Sequence, residues 1–244
     1  MKCIDNVQVG MRLGQIQKKR DLNNLNFALE LGLSQSRYSR LKNGIVTITV
    51  DELRKVCALY GLTAQQVLFG HSPRVTSPIF KRLHHLDEHG RRKCLKMLAC
   101  SIDRDSVEEE LRSHPMYKLF MGGLLEIIPV GTVDVLPYVL RYEKTINCLK
   151  RDQMLERLSL TRFKWDTVMR GVTAGEVSLL LRIEEEFGYD IQFLVNNQIS
   201  GNDFFDKVLK KQAERRERIL GLFDEIQRFG EQEFLVEMQS RERE

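Results

Sequence analysis

The chain has 244 residues, 42% of them hydrophobic and 30% charged, with a net charge of +4. That is the composition of one or two globular domains and excludes a disordered or fibrous chain. Five scattered cysteines (Cys3, Cys57, Cys94, Cys100, Cys148) fit reduced thiols in a cytoplasm better than a disulfide framework, and the longest apolar stretch, 119–136, is broken by Glu126, Pro129 and Asp134, so neither a membrane span nor a secretory leader is expected.

In chain order, the first pattern is "VGMRLGQIQKKR", with Val9, Leu13 and Ile16 on one helical face. "NNLNFALELG" follows. Asn23 can cap it, Phe27, Ala28 and Leu31 face inward, and Gly32 ends it. Next comes "SQSRYSRLKNG", residues 34–44. Ser34 is a cap, Leu33 and Tyr38 are spaced as a hydrophobic staple, and Gly44 can take the left-handed conformation that stops a helix. Tyr38 and Leu41 share the inner face, with Ser36, Arg40 and Asn43 opposite and Gln35, Arg37, Ser39 and Lys42 on the flanks. Arg37 stands at the third helical position, where a cation opposes the helix dipole and an anion would relieve it. "TVDELRKVCALYG" then turns Val50, Leu53, Val56 and Cys57 inward behind a Thr49 cap, and "TAQQVLFG" makes a fifth short helix capped by Thr63.

Positive charge gathers here. From Arg12 to Lys55 there are nine Lys/Arg against four Asp/Glu, the local basic footprint of a nucleic-acid binder. Over residues 7–70 the chain resembles the Cro/C1-type (XRE) helix-turn-helix family, through Ala28 and Gly32 in the turn, the Ser34 cap, Leu41, Gly44, Gly61 and the closing Val67-Leu68. The resemblance implies an all-α, lambda-repressor-like five-helix DNA-binding domain over 1–70 that inserts helix 35–43 into a major groove. By family position Gln35, Ser36, Ser39 and Arg40 meet base edges, and Asn24, Arg37, Lys42 and Asn43 meet phosphates. Many phage repressors pair an Arg in the first helix with a Glu late in the third. Here Gln17 and Lys42 take those places, which removes the ion pair and points to Lys42 as a phosphate ligand.

Beyond "HSPRVTSP", which reads as a linker, residues 79–113 carry two helical patterns, and 117–136 reads as core joining what lies on either side; together 71–133 forms a helical linker segment. A shift of 127 residues then aligns the chain with itself without a gap. Leu31, Leu33, Ser34, Tyr38, Leu41 and Gly44 meet Leu158, Leu160, Thr161, Trp165, Val168 and Gly171. A second, diverged lambda-repressor-like domain is expected over 134–197. Its third helix, "TRFKWDTVMRG", exposes Phe163 where the first copy has Ser36, and its charge is near neutral. Two readings stay open for it. It is a second DNA site through Arg162, Lys164, Thr167 and Arg170, or a module that packs against a partner. Residues 198–244 carry an amphipathic helical pattern suited to dimerisation or packing.

His84, His85, His89 and Cys94 invite a metal reading, but polar helix residues explain them better and no metal is expected. No phosphate-loop glycine pattern, nucleophile elbow or HExxH motif occurs, so neither a cofactor nor catalysis is expected. The expectation is a cytoplasmic bacterial or phage transcriptional regulator of double-stranded DNA, a homodimer, and by family frequency a repressor. The alternative is a DNA-tethered adaptor whose second domain and tail dock a protein.

Overall fold

Each helix of the N-terminal region begins where a polar side chain caps it. In the computed structural model, which describes residues 4–71, 77, 79–80, 83, 86–102, 107, 109–112, 114–129, 132–172, 176–198, 204–210, 217 and 221, Asp5 caps α1 (Asn6–Lys19), Asn23 caps α2 (Asn24–Glu30) and Ser34 caps α3 (Gln35–Lys42). Thr49 and Thr63 close capping boxes with Glu52 and Gln66 at the starts of α4 (Val50–Tyr60) and α5 (Ala64–Phe69). Gly32, Gly44, Gly61 and Gly70 take positive φ at the stops. The expected inner residues Val9, Leu13, Phe27, Ala28, Leu31, Tyr38, Leu41, Val50, Leu53, Val56 and Cys57 are all buried. Ile16 differs. It is only half-buried, and the neighbouring Gln17 takes the interior place.

The described chain continues as α6 (Glu88–Ser101), α7 (Glu109–Arg112), α8 (Pro115–Phe120), α9 (Leu124–Ile127), α10 (Leu136–Ile146), α11 (Arg151–Arg157), α12 (Arg162–Met169), α13 (Val177–Phe187), α14 (Ile191–Asn196) and α15 (Phe204–Lys210). The chain divides into two compact units, one of residues 1–73 with 127–198, the other of 74–126 with 199–244.

In the first unit the second set of helices repeats the first. The bounds of α2, α3, α4 and α5 reappear in α11, α12, α13 and α14, shifted by 127 residues. The left-handed positions repeat as well. Asp21, Gly32, Gly44, Gly61 and Gly70 correspond to Cys148, Ser159, Gly171, Gly188 and Asn197, all at positive φ. Three of those counterparts are not glycine and accept a conformation that costs an L-residue roughly 1–2 kcal/mol, so the backbone conformation recurs where the side chains differ. Even a helix stop is repeated: Lys55 donates to the Leu31 carbonyl (3.2 Å), and Arg182 donates to that of Leu158 (2.7 Å). One interior place departs. Glu143 is fully buried, where it accepts from Tyr189 Oη (2.5 Å) and Asn147 Nδ2 (2.8 Å).

The two sets pack on each other through α4, α5 and α14. Gln192 accepts from the Ala64 backbone N–H (2.6 Å), Gln65 donates to Asp190 (3.4 Å), and Arg54 donates to the Val195 carbonyl (2.6 Å) and pairs with Asp134 (3.4 Å). Thr49 and Glu176 form an isolated antiparallel bridge.

The second unit holds α6, α7, α8 and α15. The helical pattern expected to run on from residue 79 is interrupted at Leu86, and Asp87 caps a new helix. Residues 74–126, expected as a linker, cluster with the C-terminal segment. The apolar 117–136 stretch is split between the two units rather than forming one core. Phe204 stacks on His114 at 5.0 Å, and Phe205 meets Phe120 edge-on at 5.4 Å. His84 and His85, most of the 71–78 linker and most of the C-terminal amphipathic pattern lie outside the described residues.

Candidate nucleic-acid interface

α3 is held from beneath by a polar network that the sequence pattern only half announces. Tyr38, fully buried, donates to Gln17 Oε1 at 2.8 Å. Burial pushes its phenol up to about 12, so it stays a donor at any physiological pH. The same Gln17 oxygen accepts from Lys42 Nζ (2.9 Å), and Gln17 Nε2 donates to the Leu22 carbonyl (2.7 Å). One buried amide therefore ties α1 to the α2 entry and to the middle and C-terminal end of α3. Lys42 also donates to Asn24 Oδ1 at 3.0 Å. The ion pair that Gln17 and Lys42 cannot form is replaced by a hydrogen-bonded trio, and Lys42 is tethered rather than left loose.

Arg37 is anchored from the other side. Its Nε and Nη2 reach both Glu52 carboxylate oxygens at 2.8 and 2.9 Å, and Nη2 also donates to the Thr47 carbonyl at 2.9 Å. The dipole conflict is relieved inside the protein, by Glu52, without an external anion. Desolvation raises the Glu52 pKa, but the Arg37 and Thr49 hydrogen bonds together outweigh it and leave the carboxyl below its ordinary value. The Arg37 guanidinium is raised, first by its bond to Glu52. Glu52 and Gln17 were not among the expected site residues. The signal for Glu52 was present, since Thr49-x-x-Glu52 is a capping-box spacing; nothing local marks Gln17.

What remains on the outside of α3 is uncommitted. Gln35, Ser36, Ser39, Arg40 and Asn43 are exposed, and among the described residues none of their side chains has a hydrogen-bond or ion-pair partner. Gln is matched to an adenine edge and Arg to a guanine edge by bidentate geometry.

The counterpart helix α12 carries the opposite arrangement. Arg162 pairs with Asp152 (3.4 Å), Lys164 with Glu176 (2.7 Å) and Asp166 with Arg151 (2.9 Å). Glu176 is held below its ordinary value chiefly by Lys164. Thr167 turns its hydroxyl back to the Phe163 carbonyl at 2.7 Å. Arg170 is exposed and has no partner among the described residues. Phe163 is 80% exposed, on the edge of a cleft of about 430 Å³ that Thr49 and Asp51 also line.

Among the described residues no group of His, Cys, Asp and Glu is placed to hold a metal, and no helix is long and apolar enough to cross a membrane. Residues 16–67 match the family model described as Helix-turn-helix. No curated protein and no solved structure matches the chain. The matched segment runs from within α1 into α5 and contains the whole of α2, the Gly32 turn and α3, so the network around Gln17 and Glu52 lies inside it. By that match and this geometry, residues 16–67 are a DNA-binding helix-turn-helix domain of the Cro/C1 (XRE) type.

Proposed function

We propose that the protein is a sequence-specific regulator of double-stranded DNA that inserts α3 into the major groove and represses by occupying its site. The observation that carries this is the division of labour on α3. Arg37, Tyr38 and Lys42 are tied down by partners within the domain, while Gln35, Ser36, Ser39 and Arg40 are exposed and unspent. Those four meet base edges. Phosphates are met by Asn43, by the linked pair Asn24 and Lys42, and by Arg37 through the nitrogen that Glu52 and Thr47 leave unused. Residues 134–197 are a second, diverged helix-turn-helix domain. The 127-residue offset shared by helix bounds, left-handed residues and the Lys55/Arg182 helix stop supports that reading. The adaptor reading draws support from exposed Phe163 and the paired charges of α12, but it leaves the uncommitted face of α3 without a use.

The test is a competition between a duplex selected from a random library and an unselected one, across a salt series. Wild type should prefer the selected duplex, and its log affinity should fall by about 0.9 per phosphate contact for each log unit of salt. Arg40→Ala should cost about 1–3 kcal/mol on the selected duplex and relax preference at one position. Uniformly weaker binding with preference intact would make Arg40 a phosphate ligand, and no preference in wild type would sink the reading.

A further inference from the structure

Some of the contacts between the two helix sets have near-counterparts when the sets are exchanged, although the Arg54 contacts to Val195 and Asp134 do not. Gln65 reaches across to Asp190, the counterpart of Thr63, and Gln192, the counterpart of Gln65, reaches across to Ala64. Thr49 and Glu176, which bridge each other antiparallel, are counterparts separated by the same 127 residues. A pair of equivalent positions that contact each other must lie on the symmetry axis. Around Thr49 and Glu176 the packing is therefore close to isologous, the pattern of a two-fold dimer, built within one chain. The same operation relates α3 to α12. A two-fold pair of such helices meets two successive major-groove segments about one helical turn apart. Lys42 and Thr49 on the axis are seven positions apart, an upper reach of roughly 25 Å that permits such a spacing.

The second half is chemically unlike the first. Arg162, Lys164 and Asp166 are each paired, and the Thr167 hydroxyl is satisfied within its own helix. Left exposed are the Phe163 ring, at the place of Ser36, and Arg170, at the place of Asn43, with half-buried Thr167, at the place of Arg40, beside the ring on the lining of the same cleft. The major groove offers one apolar feature to such a surface, the thymine C5-methyl group.

Resting on the DNA reading proposed for α3, we infer that one chain recognises an asymmetric site of two half-sites. One is read by the polar face of α3. The other is thymine-rich and read through its methyl groups by Phe163 and Thr167.

The full-length chain is used to select duplexes from a random library, and complex stoichiometry is measured on the selected pool. The expected site has two preferred segments about 10 base pairs apart, one rich in thymine, bound by one chain. Replacing those thymines by deoxyuridine keeps the pairing and removes only the methyls. It should weaken wild type about fourfold per methyl in contact, the factor for one buried methylene-sized group. Phe163→Ala, at an exposed position that leaves the fold intact, should weaken binding to the thymine duplex and reduce the sensitivity to deoxyuridine, while preference in the α3 segment survives. A single preferred segment, or deoxyuridine without effect, overturns the inference and leaves α3 as the only reader. Unchanged selection by Phe163→Ala also overturns it and assigns α12 to a protein surface. Loss of preference in the α3 segment of wild type would instead mark failure of the function proposed above.

Discussion

Gln17 and Glu52 hold α3 from within, away from its outer face. Glu52 gains its role from two bonds to Arg37 and from closing the box with Thr49. Its folded pKa lies below the ordinary value, so its contribution to stability is complete above the ordinary carboxylate range and is lost as pH falls through the folded pKa. Glu52→Gln should therefore lower the melting temperature at neutral pH, with the gap to wild type closing in acid; parallel melting curves at all pH values would contradict the role given to this carboxylate. Residue by residue, the inner face of the first domain is legible in the sequence because apolar spacing reports burial directly. The interior position of Gln17 is not, because an amide gives no periodic signal and is buried here by its partners. The count of basic residues misleads in part. Arg12, Arg54 and Lys55 donate to backbone carbonyls, and Arg37 to a carboxylate, so much of the local positive charge serves the fold.

Among elements, α1 and α3 approach so closely that a β-carbon at Gly10 would run into the Lys42 carbonyl and stand 2.6 Å from that of Leu41. Backbone cannot yield there as a flexible side chain can. Gly10→Ala should destabilise the domain by about 1–3 kcal/mol and weaken DNA binding beyond that loss, because it displaces the reading helix while sparing every outward residue; chemical denaturation and binding titration on the same variant separate the two effects. Tyr38 and Trp165 occupy equivalent buried positions in α3 and α12, and truncation of either to Ala should cost about 3–5 kcal/mol by the measure of buried aromatics. A loss below about 1 kcal/mol at Trp165, measured by urea unfolding, would show that α12 is not seated as its counterpart is. Caps, staples and terminating residues make these helices readable from the sequence, since each is a local pairing of residue type with position. The break at Leu86 is not readable, because the apolar spacing continues across it and only Asp87, one cap among many polar residues, marks the new start.

Across the first unit, the packing between the helix sets depends on a few groups whose partners lie more than a hundred residues away. Such pairs leave no trace in local pattern, and the internal repeat predicts two similar halves without saying that they embrace. Gln192→Ala should leave the Ala64 N–H without its partner, at a cost of about 1–3 kcal/mol. Amide exchange should then quicken in α5 as well as in α14, and acceleration confined to α14 would mean the halves open independently.

An interface between α5 and α14 on one chain also sets how a cell reads protein dose. Two halves joined covalently are never diluted apart, so each sees the other at a fixed effective concentration. Occupancy of a site should rise with the first power of protein amount, with a Hill coefficient of about 1 in a titration, whereas halves that must first find each other respond more steeply at low abundance. A regulator acting as proposed, one chain to a site, has no assembly threshold: it grades its response from the first few copies made, and losing half of them at cell division costs it no more than half its free concentration.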